Sequence, residues 1–510
     1  MRALYRPLLL PAVLLTCCIG VQAADDAIAA DTYRMLDRVR ETKRAQLTAY
    51  LERLRSLGSR LASDPKMLEY FRIKRDFHAL RHEAPPPAAV VHHIERLKRT
   101  LRDYCLRRYQ VFYDILFVDA DGFVCSTIRH EAEYHTNLFT GATADTALAA
   151  RLRQEAGEAF IDYEYYPVSD EPSAFIVEPV RDNGELQGWF VLQCSLNKLN
   201  RIFRRHQDLL TTGEVFLVNQ RHQLLTESRH RPGTGMLERH LSRENIERKF
   251  ATGRGHMVVV DYRGQRALTS FEVCRIQDTD WLLIAKIDED EILTHHYHIH
   301  CERLRPRLLA ALAQPADTAA APPPEVDATH AIRVDIDEFH LAEDDRALMT
   351  FGVNTCTAVL LQGPDHCSCL GHASVYDELY GAGDMDLLGH MLGRIRRFEI
   401  YPYQFRELQA TVIAPHTRSI ARAVDKLLAA GFLLAQIRFV HDPTAVSATV
   451  YHDPVGARTA IRWRAPGEDG AVRWQATADC PSLHTILART IGYTPPEIRT
   501  PEPLAERATE

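Results

Sequence analysis

Beyond residue 23 the 510-residue sequence contains no apolar run long enough to cross a bilayer. The tract after Ile292, LTHHYHIHCERLRPRLLAALAQPADTAAAPPP, is too polar to do so. Nor is there a basic block: 61 Lys+Arg are interspersed among 68 Asp+Glu, and the net charge is −7. Without a basic stripe or interleaved aromatic platform, nucleic acid is excluded as a partner. The cysteines are scattered, which excludes a small disulfide scaffold. Cys367 and Cys369 have no second pair after them, and Cys-x-Cys is a poor structural-zinc spacing. What remains is the composition of a folded globular protein, 46% hydrophobic and 25% charged, long enough for two or three cores.

The N-terminus reads as an export signal. A basic MRALYR precedes the apolar PLLLPAVLLTCCIGV, and VQA before Ala24 has the small-x-small form of a cleavage site. Residues 1–23 are therefore expected to be a signal peptide, or an uncleaved anchor if the following segment continues as helix. Thr16 before Cys17 spoils a lipoprotein site. The protein is expected in the periplasm or secreted, with membrane contact only through an uncleaved N-terminus. Cleavage leaves nine cysteines, so at least one thiol stays unpaired within the chain.

From about 31 to 108 the pattern is helical, with Leu47, Leu51, Leu54 and Leu57 at three- and four-residue spacing. Strand–turn–strand units follow at YDILFVDADGFVCSTIR and GEVFLVNQRHQLLTES, then strands at GHMVVVDY, RALTSFEV and WLLIAKID. Residues 301–330, ending in an Ala/Pro-rich tract, read as a semi-rigid linker. Residues 331–495 alternate strands with amphipathic helices near 374–397 and 417–431, and 496–510 read as a disordered tail. The expected fold class is α/β (α+β): a long N-terminal helix and two antiparallel sheets over 31–300, then a separate α/β sandwich.

The segments FVDADGFVCST, FIDYEYYPVSDEPSAFIVEPVRDNGELQGWFVLQ, TTGEVFLVNQRHQLLTESR and DTDWLLIAKIDEDEIL resemble, in order, the double Cache (tandem PAS-like) sensor domains of bacterial receptors. That resemblance implies a small-molecule sensor with its usual ligand site in the membrane-distal module. There DYEYYPVSD gathers Tyr163, Tyr165, Tyr166, Ser169 and Asp170 beside Asp162. Aromatic walls with hydroxyls and a carboxylate suit a small polar or cationic ligand. Alternating tyrosines equally suit a half-buried strand face. The arginine and tryptophan signature of amino-acid-binding members is absent. HHYHIHC at 295–301 holds four histidines, but successive residues diverge on a helix, and a solvated helix end is expected.

The stretch TFGVNTCTAVLLQGPDHCSCLGH spaces Thr350 six residues before Cys356 and His372 sixteen after it. With the downstream order of elements, this resembles the chemoreceptor glutamine deamidase family (CheD). Asn354-Thr355 stands where that family has Gly-Ser, and HASVY replaces its hydrophobic-Pro after the histidine. The resemblance implies Cys356 as nucleophile, His372 as base and acid, and Thr350 as the group orienting the imidazole, without metal or other cofactor. It also implies a protein substrate or signalling partner, although the family's own substrates are cytoplasmic receptor tails. The residues leave other arrangements open: metal binding by His366, Cys367, Cys369 and His372, a disulfide from Cys356, or a buried strand thiol. A non-catalytic docking module is the alternative to an enzyme.

Overall fold

The structure is a computed structural model that describes residues 10–80, 88–108, 111–129, 132–154, 157–204, 209–230, 237, 241–277, 279–312, 330–342, 346–363, 367–374, 386–397, 407–467, 472–477 and 480–493. Two compact units emerge, one chiefly Thr32–Asp288 and the other chiefly Glu289–Pro496.

The first unit opens with three helices, α1 (Leu10–Ala62), α2 (Pro65–Leu80) and α3 (Ala88–Arg108). Helix α1 runs unbroken through the expected cleavage site. No described helix is long and apolar enough to cross a membrane. Leu36, Leu47, Leu54 and Leu61 are buried along it at spacings of eleven, seven and seven residues, which keeps one stripe against the sheets.

Next come β1 (Asp114–Asp119), β2 (Val124–Thr127), α4 (Ala147–Arg153), β3 (Ala159–Tyr166), β4 (Glu171–Asp182) and β5 (Glu185–Ser195). These strands form an antiparallel sheet in the order β2-β1-β5-β4-β3. After α5 (Leu196–Phe203), β6 (Glu214–Asn219), α6 (Arg243–Thr252), β7 (Arg254–Val260), β8 (Arg266–Ile276) and β9 (Thr279–Asp288) build a second sheet in the order β6-β9-β8-β7.

The two sheets begin with the same turn. Asp119 Oδ1 accepts from the amides of Asp121 and Phe123, and Asn219 Oδ1 accepts from those of Arg221 and Gln223. In the second sheet the expected return strand is reduced to a single bridge between Val218 and Leu224.

The C-terminal unit starts at α7 (Glu289–Ile299) and α8 (Cys301–Leu312). Tyr297, Leu304, Leu308 and Leu312 from these helices enter its core. This corrects the expected linker: 301–312 is packed helix, held by leucines four residues apart, and 313–329 lies outside the described residues. The expected tail, the first nine residues and His366 also lie outside them.

Then follow β10 (Ile332–Arg333), β11 (Glu338–Leu341), β12 (Leu348–Val353), β13 (Thr357–Gln362), β14 (Ser368–Ala373), α9 (Leu387–Arg397), β15 (Gln409–Ile413), α10 (Thr417–Ala429), β16 (Ile437–Val440), β17 (Ser447–Asp453), β18 (Arg458–Arg464), β19 (Val472–Ala476) and α11 (Leu483–Ile491). One sheet runs β10-β12-β17-β18-β19 and the other β11-β14-β13-β15-β16.

Alternation decides the layers. Ala358, Leu360 and Leu370 face the first sheet together with Val450, Ile461 and Trp463. Val359, Leu361 and Cys369 face the helices with Met391, Leu427 and Leu487. The unit is an α/β sandwich of two sheets with helices covering one of them.

Candidate functional site

Thr350, Cys356 and His372 come from three strands or their ends, and the sandwich brings them to one layer. Thr350 lies on β12, and Cys356 lies in the bend that leads into β13. His372 on β14 stands directly opposite Ala358 of β13. Cys356 is one pleat period before Ala358, on the same face of the sheet. Such diagonal neighbours lie about 7–8 Å apart between backbones, within reach of an imidazole.

The bend depends on Gly352, whose φ of 75° is left-handed. It occupies an irregularity in the β12–β17 register between Thr350 and Val353.

Thr350 and His372 are fully buried, and Cys356 is 8% exposed. Thr350 Oγ1 lies 2.8 Å from His372 Nδ1 and donates at 2.8 Å to the Val334 carbonyl. A hydroxyl has one proton. Since Val334 takes it, Nδ1–H must donate to Thr350, and Nε2 keeps a lone pair. Nε2 is buried without a hydrogen-bond partner. Burial pushes the His372 pKa below its ordinary value, with Asp337 and Asp335 opposing. The ring is therefore neutral at neutral pH, with its basic nitrogen turned away from threonine. The arrangement can accept a proton at Nε2 and return it. Val334 carried no signal in the sequence, because any residue there supplies the same carbonyl.

Cys356, Cys367 and Cys369 are all thiols. The disulfide and metal arrangements left open by the sequence are not formed by the described residues. Cys369 lies in the helix-facing core while Cys356 faces the other sheet, so the pleat separates them. Among the described residues no group of three His, Cys, Asp or Glu could hold a metal. Burial raises the pKa of both Cys367 and Cys369, which keeps them protonated. In HHYHIHC the tyrosine turns inward, while His295 and His298 are exposed.

The five sensor residues do not converge. A bulge between Ile161 and Glu164 inserts one residue into β3 and switches the side-chain alternation. Tyr166 consequently joins Phe175, Leu148 and Leu152 in the core under α4. Tyr163 packs against Trp281 of β9. Tyr165 is 56% exposed and bonds Asp170 in the β3–β4 turn.

Ser169 instead belongs to a polar group that sequence inspection passed over. Gln193 Nε2 donates to Ser173 at 2.9 Å and Ser169 at 3.1 Å, and its buried Oε1 has no hydrogen-bond partner. The available signal was a lone glutamine in the apolar run WFVLQC.

Asp162 and Tyr163 link the sheets. Trp281 Nε1 donates to Asp162 at 2.9 Å, and Arg221 donates to the Tyr163 carbonyl and lies 3.7 Å from Asp162.

No curated protein matches the chain. Among solved structures it is similar to an extracellular ligand-binding receptor from Desulfohalobium retbaense, at 12% identity and TM-score 0.34. That match covers 48% of this chain and only 39% of the receptor chain. It is also similar to the periplasmic sensory domain of the Campylobacter jejuni chemoreceptor Tlp1, at 9% identity, TM-score 0.38, and coverage of 52% and 98%. A third likeness is to the ligand-binding domain of a Pseudomonas aeruginosa amino-acid chemoreceptor in complex with GABA, at 16% identity, TM-score 0.35, and coverage of 50% and 100%. Residues 21–295, more than half of the sequence, match the Cache domain family, and the chain belongs to that family.

Proposed function

We propose that this protein is an exported small-molecule sensor whose C-terminal unit is a cysteine amidohydrolase acting on glutamine or asparagine side chains of a protein substrate. The sensing half follows from membership of the Cache family. The observation that carries the catalytic half is the Thr350–His372 hydrogen bond, which leaves Nε2 basic and unpartnered on the face that Cys356 shares.

In the proposed reaction His372 Nε2 takes the Cys356 proton and the sulfur attacks the carboxamide carbon. Backbone N–H groups around Asn354–Cys356 hold the developing oxyanion. The imidazolium protonates the departing nitrogen, and ammonia leaves as the C–N bond breaks. Water, deprotonated by Nε2, then cleaves the thioester and frees a carboxylate and the thiol. Thr350 holds the tautomer, as a carboxylate or amide does in other triads.

A second reading is favoured by the burial of the group: a Thr–His pair this enclosed also serves as a structural tie between the two sheets of a docking module.

Alkylation separates the two. In the full-length protein at neutral pH, iodoacetamide should label Cys356 faster than any other cysteine, and Cys356→Ala should abolish ammonia release from a panel of glutaminyl proteins. Equal labelling rates together with unchanged ammonia release would leave only the docking module. A reporter fused after residue 510 should be active only outside the cytoplasm; cytoplasmic activity would refute export.

A further inference from the structure

The second sheet of the Cache unit carries a buried charge that the protein does not neutralise. Lys249 on α6 is 2% exposed. With Ser242, Asn245 and Ile246 it falls on one helix face, at i, i+3, i+4 and i+7. That face and the sheet line a small cleft, open to solvent at its mouth, with a cavity volume of about 40 Å³.

The Lys249 ammonium meets the Met257 sulfur at 3.8 Å and lies 5.6 Å from the centre of the Phe271 ring. Among the described residues no carboxylate pairs with it. The other cavity lysine is compensated: Lys286 pairs with Glu214 at 3.0 Å and with Asp261, whose second partner is Arg263 at 2.6 Å. Arg263 also pairs with Asp288 at 2.5 Å, so there two cations share three carboxylates, while Lys249 is left without a direct counter-ion.

We propose that this cavity is a second ligand site, taking a short-chain monocarboxylate with Lys249 as its anchor. One uncompensated ammonium matches one carboxylate, and a charge-assisted hydrogen bond would replace the weak sulfur contact. Asn245, half-buried on the same helix face, supplies an amide donor for the second oxygen. Phe216, Val259 and Ile284 line the space left for the alkyl chain. Glu214 and Asp261 behind Lys286 disfavour a second carboxylate by like-charge repulsion, which selects against dicarboxylates. The site is separate from the first sheet of the sensor and does not depend on the deamidase reading.

The test uses the full-length protein and sodium propionate, with propionamide and succinate as controls, read by calorimetric titration and thermal denaturation at pH 7. Propionate should bind saturably and raise the melting temperature. Propionamide, which has the same shape without the charge, should do neither, and succinate should bind at least tenfold more weakly. Lys249→Met should weaken propionate binding at least tenfold while preserving the circular dichroism spectrum, and Lys249→Arg should retain it. Absence of propionate binding to the wild type overturns the proposal. So does equal binding of propionamide, or undiminished binding by a folded Lys249→Met protein. The propionate–propionamide comparison decides the matter on wild type alone if the Met variant does not fold.

Discussion

Lys249→Met should stabilise the ligand-free protein at neutral pH, and the size of the effect follows from the cost of the buried charge. Burial pushes the Lys249 ammonium from the ordinary 10.5 down to about 8, with neighbouring Arg248 adding to the effect. At 1.36 kcal/mol per pKa unit, a gap of that size is worth about 3 kcal/mol. Between about pH 8 and 10.5 the unfolded chain holds a proton that the folded chain releases, so stability from this group rises with pH. Below pH 8 the folded protein carries the whole cost.

Methionine keeps the length and apolar stem while removing the charge. The Met257 sulfur and the Phe271 ring recover part of the loss in the wild type, so a gain of roughly 1–3 kcal/mol is expected at pH 7. For a unit of this size, each kcal/mol is about 2–4 °C in melting temperature. Thermal and urea melts of both proteins from pH 6.5 to 10 provide the readout. The difference should be largest at pH 7 and shrink toward pH 10, where both side chains are largely neutral. A variant less stable than wild type at pH 7, or a pH-independent difference, would refute the claim that the ammonium is uncompensated. Saturating propionate should also narrow the gap, since it supplies the missing anion to the wild type alone.

Thr350→Val should cost about 1–3 kcal/mol in urea denaturation, because it strands the buried His372 Nδ1 and the Val334 carbonyl. It should also slow Cys356 alkylation, with Thr350→Ser restoring both; unchanged alkylation would remove threonine from the proposed triad. Glu178→Gln should stabilise the protein at pH 8 by about 1–3 kcal/mol, with no difference near pH 4.5. Burial, with help from Glu158, raises the Glu178 carboxyl to about 7, so the folded state holds its proton more tightly and stability falls as pH climbs from 4.5 through 7. A flat difference across that range in pH-dependent melts would count against it. Gly352→Ala should cost about 1–2 kcal/mol from backbone strain alone, since φ is 75° and a Cβ there meets nothing within 4 Å. A urea midpoint equal to wild type would mean that the bend relaxes without penalty.

The closeness of Thr350 and His372 and the face they share with Cys356 were legible in the sequence, and the separation of the DYEYYPVSD side chains was not, for one geometric reason. Thr350, Cys356 and His372 were placed by spacings that span a strand, a turn and the next strand. The β13–β14 pairing preserves the strict two-residue alternation. Parity therefore carried information: residues 356, 358 and 372 had to share a face, and Cys367 and Cys369 had to take the other. Along DYEYYPVSD the same counting fails, because the β3 bulge adds one residue between Ile161 and Glu164. A single insertion reverses every face assignment beyond it, which sends Tyr163 toward Trp281 and leaves Tyr166 in the α4 core. Nothing in the side chains announces the bulge.

Lys249 was hidden differently. The sequence RENIERKFATGR reads as a charged, solvated helix, and its packing on the sheet buries Lys249 beside Ile246. Helix α8 erred in the other direction, since Pro306 and the Ala/Pro tract beyond it masked the Leu304, Leu308 and Leu312 stripe. Local pattern is reliable where pairing is regular. It fails where a bulge, or an unforeseen packing partner, decides which side of the element meets the core.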